Sequence, residues 1–112
     1  MHEDGVVLQA QDYIETNYAD KISVEDLANR SLLSRRNFER RFKKATQHSP
    51  AEYIQYLKIE AARRQLESSR YNISEVMYAV GYNDTKAFRS TFKRITGLSP
   101  MEYRNRFQTH RA

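Results

Sequence analysis

"SPAEY" occupies Ser49–Tyr53, and "SPMEY" occupies Ser99–Tyr103, fifty residues further on. Each has the chemistry of a helix start. A serine cap accepts a hydrogen bond from the N–H of the third helical residue, and a glutamate at that residue reaches back to the cap's own N–H. Proline at the first helical position loses nothing, because its missing N–H would be unpaired there anyway. Two such starts could arise by chance, so the flanks decide. "SRRNFERRFKKATQH" (34–48) precedes the first and "DTKAFRSTFKRITGL" (84–98) precedes the second. At an offset of 50, Phe38 matches Phe88, Phe42 matches Phe92, Lys43 matches Lys93, Thr46 matches Thr96 and Tyr53 matches Tyr103. Further upstream, "ISVEDLA" (22–28) faces "ISEVM" (73–77) after small gaps. The chain therefore contains a duplicated unit of about 50 residues.

Working outward, the spacing predicts seven helices and no strand. The first covers about residues 6–18, with Leu8, Ala10, Tyr13, Ile14 and Tyr18 as an apolar stripe. Ser23 caps a short second helix whose Val24, Leu27 and Ala28 face inward. Ser34 caps the third, with Phe38 and Phe42 one turn apart. Ser49 caps the fourth and longest, ending near residue 69, with Tyr53, Ile54, Leu57, Ala61, Ala62 and Leu66 on its apolar side. Glu60 and Arg64 form an i,i+4 pair on its outside. Ser74 caps the fifth helix, which buries Val76, Met77 and Val80. Gly81 allows a left-handed turn. Asp84 caps the sixth helix, with Phe88, Phe92 and Ile95 buried, and Gly97 ends it. Ser99 opens the seventh, containing Tyr103 and Phe107. Each repeat is thus a short helix, a tight turn and a longer capped helix, the outline of a helix-turn-helix. The expected division is a first lobe over 1–48, a linker helix over 49–69 and a second lobe over 70–112.

Charge follows that outline. The third helix carries Arg35, Arg36, Arg40, Arg41, Lys43 and Lys44 against Glu39, a net of +5. The sixth carries Lys86, Arg89, Lys93 and Arg94 against Asp84, a net of +3. Together they carry +8, whereas the whole chain is +5, so the remainder is net acidic. If Phe38 and Phe42 face the core, then Arg36, Glu39, Arg40 and Lys43 fall toward water. The matching positions are Lys86, Arg89, Ser90 and Lys93, with Thr85 at the exposed helix start. Arginine can pair in planar fashion with guanine O6 and N7 in the major groove. Lysines and flanking arginines more often meet phosphates. Glu39 could accept from a cytosine N4, or hold Arg35, Arg36 or Lys43 in an intrahelical pair; the pair is the favoured reading.

Composition narrows the rivals. The 112 residues contain no cysteine, three glycines and two prolines, with 39% hydrophobic and 29% charged residues. Disulfides and thiolate metal sites are excluded, and a reducing cytoplasm suits the chain. No apolar run approaches the roughly 20 residues that span a bilayer, and no signal peptide is expected. His2, His48 and His110 are scattered, with no H-x-x-x-H, nucleophile–base arrangement or phosphate loop, so neither an enzyme nor a cofactor or metal site is expected. RNA binding lacks exposed aromatic stacking platforms. The surviving alternative to DNA is a basic helical module docking on an acidic protein.

The stretches "LANRSLLSRRNFERRFKKATQHSPAEYIQYLKIEAARRQL" (27–66) and "ISEVMYAVGYNDTKAFRSTFKRITGLSPMEY" (73–103) resemble the C-terminal DNA-binding domain of the AraC/XylS transcriptional regulators. The likeness covers about residues 20–107. It implies an all-α fold of seven helices, with two helix-turn-helix lobes joined by a long linker helix. It also implies a bacterial, cytoplasmic transcription factor whose third and sixth helices enter successive major grooves of double-stranded DNA. Its base-facing positions fall on Arg36, Glu39 and Arg40, and on Thr85, Lys86 and Ser90. Arg35, Asn37, Lys43, Arg89 and Lys93 fall at backbone-facing or flanking positions. RNA polymerase is a further implied partner, no membrane is involved, and longer members carry an N-terminal sensor or dimerisation domain absent from this sequence. Three positions depart from the family pattern: Met77 where a small residue is usual, Leu32 where glycine is common, and Gln47 where the second copy has Gly97. A linker helix of about 20 residues is about 30 Å long, against about 34 Å between successive major-groove faces. One chain could then read an asymmetric site, with DNA bending to close any shortfall.

Overall fold

The computed structural model describes residues 2–109. His110 and the last residues of the expected second lobe lie outside the described residues. Among the described residues there are seven helices and no strand: α1 (Gly5–Asn17), α2 (Val24–Arg30), α3 (Arg35–Thr46), α4 (Pro50–Ser68), α5 (Ile73–Ala79), α6 (Thr85–Thr96) and α7 (Pro100–Phe107). None of them is long and apolar enough to cross a membrane. The chain forms two compact units, one ending at Gln55 and one beginning at Tyr56. The boundary falls inside α4, which is a continuous helix of 19 residues.

The division explains the repeat more fully than an offset of 50. In the first unit, Val7, Ala10 and Ile14 of α1 are buried, together with Leu27 and Ala28 of α2, Phe38 and Phe42 of α3, and Ile54 of α4. In the second, Ile59, Ala62 and Leu66 of α4 are buried with Val76 and Met77 of α5, Phe88 and Phe92 of α6, and Tyr103 of α7. Val7, Ala10 and Ile14 stand 52 residues before Ile59, Ala62 and Leu66. Each unit is therefore an opening helix, a helix-turn-helix and the start of a closing helix. The first turns of α4 close the first unit, and its remainder opens the second.

The closing helices repeat one arrangement of side chains. The Tyr53 ring meets Phe42 edge-on at 5.3 Å, and Tyr103 meets Phe92 at 5.5 Å. The Tyr53 hydroxyl accepts from Gln11 Nε2 (3.4 Å) and donates to Glu15 (3.2 Å). The Tyr103 hydroxyl accepts from Arg63 Nε (3.1 Å) and donates to Glu67. Gln11 and Glu15 again precede Arg63 and Glu67 by 52. Burial and a carboxylate neighbour push both phenols above their ordinary value. Both serine caps form the expected reciprocal pair. Glu52 N–H donates to Ser49 Oγ (3.1 Å) and Ser49 N–H to Glu52 Oε1 (2.8 Å); the Ser99–Glu102 distances are the same.

Several sequence expectations are corrected. Val7, rather than Leu8, fills the inward position on α1, and Leu8 is exposed; Asp4 caps that helix from Val6 and Val7 N–H, setting its phase. Asn72, not Ser74, caps α5. Its side-chain carbonyl accepts from Glu75 N–H at 2.8 Å, and Glu75 reaches back to Asn72 N–H, also at 2.8 Å. A planar amide fills a cap as well as a hydroxyl does. Glu60 pairs with Arg63 at 3.0 Å instead of Arg64, because Arg63 is also held by Tyr103. Ile59 is buried on α4, where no inward role was expected, and Ile95 is only half-buried.

Candidate nucleic-acid interface

The turn in each unit begins identically. Leu33 N–H donates to Ala28 carbonyl and Tyr82 N–H to Met77 carbonyl, both at 3.0 Å. The residue before each donor is left-handed: Leu32 at φ 58° and Gly81 at φ 96°. Leucine thus holds the conformation glycine would adopt freely, and its side chain is 92% exposed. Gln47 (φ 68°) likewise ends α3 in the conformation Gly97 (φ 84°) adopts after α6. The departures in sequence leave the turn geometry intact at the cost of backbone strain. The second turn is one residue longer, with Asn83 inserted before the cap Asp84.

Beyond the turns, Ser34 Oγ accepts from Asn37 N–H (3.2 Å) to start α3, and Asp84 Oδ1 accepts from Lys86 N–H (3.1 Å) to start α6. Phe38 and Phe42 pack at 5.7 Å between centroids, and Phe88 and Phe92 at 5.9 Å. These inward pairs fix the rotation of each helix. Thr46 Oγ1 donates to Phe42 carbonyl (2.9 Å) and Thr96 Oγ1 to Phe92 carbonyl (2.8 Å), securing the last turns.

Opposite the α3 rings, Arg36, Asn37, Arg40 and Lys43 are exposed. Arg36, Arg40 and Lys43 sit at i, i+4 and i+7, one stripe of a helix. Opposite the α6 rings, Lys86, Arg89, Ser90 and Lys93 form the matching exposed stripe, with Thr85 at the helix start. A shallow groove of about 770 Å³ runs along this face of α6. Among the described residues, none of Arg36, Arg40, Lys43, Lys86, Arg89 or Lys93 is in an ion pair. Glu39 is half-buried and accepts from Arg35 Nε at 3.2 Å, the intrahelical pair favoured from sequence. Arg35 also lies 3.7 Å from Glu25 of α2. This surface network contributes little energy, but it draws Arg35 toward carboxylates.

Arg41 does not belong to the outer stripe. Its Nε and a terminal nitrogen donate to Asp4 Oδ2 (3.1 Å) and Oδ1 (2.9 Å), a two-pronged contact between α3 and the cap of α1. The Arg41 bond, ahead of other causes, holds the Asp4 carboxyl below its ordinary value. Counting helix charge from sequence missed this. The signal was available, since a residue three after Phe38 lies only about 60° around the helix from it. Among the described residues no group of acidic, histidine or cysteine side chains could hold a metal ion, and His2 is engaged with Gln11 at 2.8 Å. The chemistry on offer is two exposed cationic stripes, each on the second helix of a helix-turn-helix.

A family model described as "Helix-turn-helix domain" matches residues 27–106. The Msm operon regulatory protein of Streptococcus mutans is 32% identical over 104 residues, covering 93% of this chain and 37% of that protein. The C-terminal domain of AraT, a response regulator from Geobacillus stearothermophilus, has the same fold. Its TM-score is 0.93 at 24% identity, covering 98% of this chain and 92% of that one. The DNA-binding domain of AdpA, crystallised in complex with a target DNA, matches with a TM-score of 0.87 at 31% identity, covering 93% and 94%. The chain spans about a third of the length of the curated relatives it matches. The two likenesses above 30% identity are to an operon regulatory protein and a transcriptional factor, not to enzymes. The chain belongs to the AraC/XylS family of transcriptional regulators, as the double helix-turn-helix DNA-binding domain of that family.

Proposed function

We propose that this chain binds double-stranded DNA sequence-specifically and regulates transcription, with α3 and α6 as its two recognition helices. The observation that carries the reading is the matched pair of exposed cationic stripes on those helices. Arg36, Arg40 and Lys86 meet base edges, joined by Thr85 and Ser90, whose small hydroxyls suit either a donor or an acceptor. Glu39, already steadied by Arg35, offers an acceptor to a cytosine N4. Arg35, Asn37, Lys43, Arg89 and Lys93 meet phosphates, which fix orientation without reading sequence.

The finer arrangement is an asymmetric site read in two successive major grooves by one chain. A lobe over 1–48 and another over 70–112 take one groove each, with residues 49–69 between them. Support comes from the presence in each of the two units of a helix-turn-helix whose second helix is exposed and cationic. In the longer protein we place a sensor or dimerisation domain before this one, RNA polymerase among its partners, and the cytoplasm, where a bacterial duplex is found, as its location.

The test is Arg40→Ala measured on a cognate and a random duplex. Loss of a base contact weakens cognate binding by roughly 1–3 kcal/mol, or about 5-fold to 150-fold, with little change on random DNA. Equal losses on both would reassign Arg40 to a phosphate. Binding that ignores DNA sequence altogether would favour the alternative, a basic module for an acidic protein.

A further inference from the structure

The two helix-turn-helix turns differ in one respect that the cationic faces do not explain. Both share their backbone bonds as far as Leu33 and Tyr82. After that point the first turn enters the cap Ser34 directly, whereas the second passes through Asn83 before reaching Asp84. The backbone link between α5 and α6 is thus one residue longer than that between α2 and α3. At that place the second unit has a tether. Lys58 Nζ, from α4, donates to Gly81 carbonyl at 3.2 Å and stands 5.2 Å from the centroid of the Tyr82 ring. Tyr82 in turn packs on Phe88 of α6 at 5.4 Å. A chain of side chains thus runs from α4 through the turn to the recognition helix, bypassing Asn83.

The chemistry of Lys58 fits a placed group better than a solvated one. It is half-buried, and burial holds its amine below the ordinary value. Its position 52 residues earlier, where the opening helix of the first unit corresponds, is Val6. Among the described residues no amine donates to the Leu32 carbonyl, and the Leu32 side chain stands in solvent.

We propose that Lys58 is a positioning residue for the second recognition helix: held on α4 and outside the cationic stripe of α6, it fixes where α6 begins and so governs reading by Thr85, Lys86 and Ser90 without touching DNA. The DNA half of the claim rests on the reading given under Proposed function. The closing experiment therefore has one arm with DNA and one without.

The whole chain is compared with Lys58→Met, which keeps the stem, and Lys58→Arg, which keeps a donor and a cation. In the free chain, amide hydrogen exchange at Phe88–Thr91 is expected to be at least tenfold faster in Lys58→Met. Exchange at Phe38–Arg41 should be unchanged, and Lys58→Arg should restore the slow rates. On duplex variants, Lys58→Met should lose discrimination more than fivefold at base pairs read by α6, with discrimination at those read by α3 preserved. Unchanged α6 exchange in Lys58→Met, or equal acceleration in both units, overturns the proposal. So does unaltered discrimination alongside faster exchange. A parent chain that discriminates no sequence defeats the DNA reading instead, and the exchange arm still decides whether Lys58 places α6.

Discussion

Replacing Arg104 by methionine should unfasten the end of α4. That helix has no basic residue in its last turn and no glycine after it, so its final carbonyls depend on outside donors. Thr109 N–H serves Glu67 carbonyl (3.0 Å) and Gln108 Nε2 serves Ser69 carbonyl (3.0 Å), and Leu66 carbonyl is served by Arg104, from α7. Its Nε donates to Leu66 carbonyl at 3.2 Å, and its terminal nitrogens reach Gln65 (3.5 Å), Ser69 (3.4 Å) and Tyr71 carbonyls. The two long contacts are weak, and Gln65 carbonyl also accepts from Ser69 N–H at 2.8 Å. The contact to Leu66, a fully buried residue, matters most. A bond from a charged donor contributes about 1.5–3 kcal/mol, and a cation at a helix C-terminus adds about 0.5 kcal/mol. Arg104→Met should therefore cost the second unit about 3 kcal/mol, close to 15 °C in its unfolding midpoint for a unit of this size. The assay is thermal unfolding followed by resonances of Tyr82 and Tyr103 in that unit. A loss below about 1 kcal/mol would show that water serves these carbonyls as well as Arg104 does, and would refute the capping argument.

Other consequences are as direct. Gln47→Gly should stabilise the first unit by about 0.5–1 kcal/mol by relieving its left-handed backbone, and Gly97→Gln should destabilise the second by about 1 kcal/mol. Space beside Gly97 is open, so the effect is one of backbone alone; denaturant midpoints check both. Acid should weaken the fold through Glu52, Glu102 and Asp4, held below their ordinary values by Ser49, Ser99 and Arg41 respectively. Their contribution is complete above the unfolded values of 4.5 and 3.8 and is lost as pH falls through the lower folded values. A Glu52→Gln, Glu102→Gln variant should flatten the acid limb of a plot of unfolding temperature against pH. Finally, Lys43→Ala should reduce the slope of log affinity against log salt by about 0.9. Arg41→Met should leave that slope unchanged while lowering the stability of the first unit, because Arg41 is committed to Asp4.

Much of this was legible in the residues. Serine caps, paired phenylalanines and the doubled S-P-x-E-Y revealed the repeat, because each is a local device whose effect depends on neighbours a turn away. The helices carrying Arg36, Arg40, Lys86 and Ser90 could be oriented once Phe38, Phe42, Phe88 and Phe92 were assigned inward. What escaped were contacts between distant segments. Arg41 and Asp4 are 37 residues apart, Lys58 and Gly81 are 23 apart, and Arg104 and Leu66 are 38 apart. All three cations look like surface charge in sequence, and only packing shows which carbonyl or carboxylate each one meets. The dual service of α4 was hidden for another reason. An apolar stripe tells that a helix has an inward face, but not that Ile54 and Ile59 serve different cores.

The most direct test is selection of binding sites by this chain from a pool of random duplexes, followed by measurement of the enriched sequences. Two short conserved blocks, different from each other and centred about 10–10.5 base pairs apart, are the predicted result. The first block should degrade with Arg40→Ala and the second with Lys86→Ala. No enrichment from a folded sample, or a single block indifferent to substitutions in α6, would contradict reading by two recognition helices.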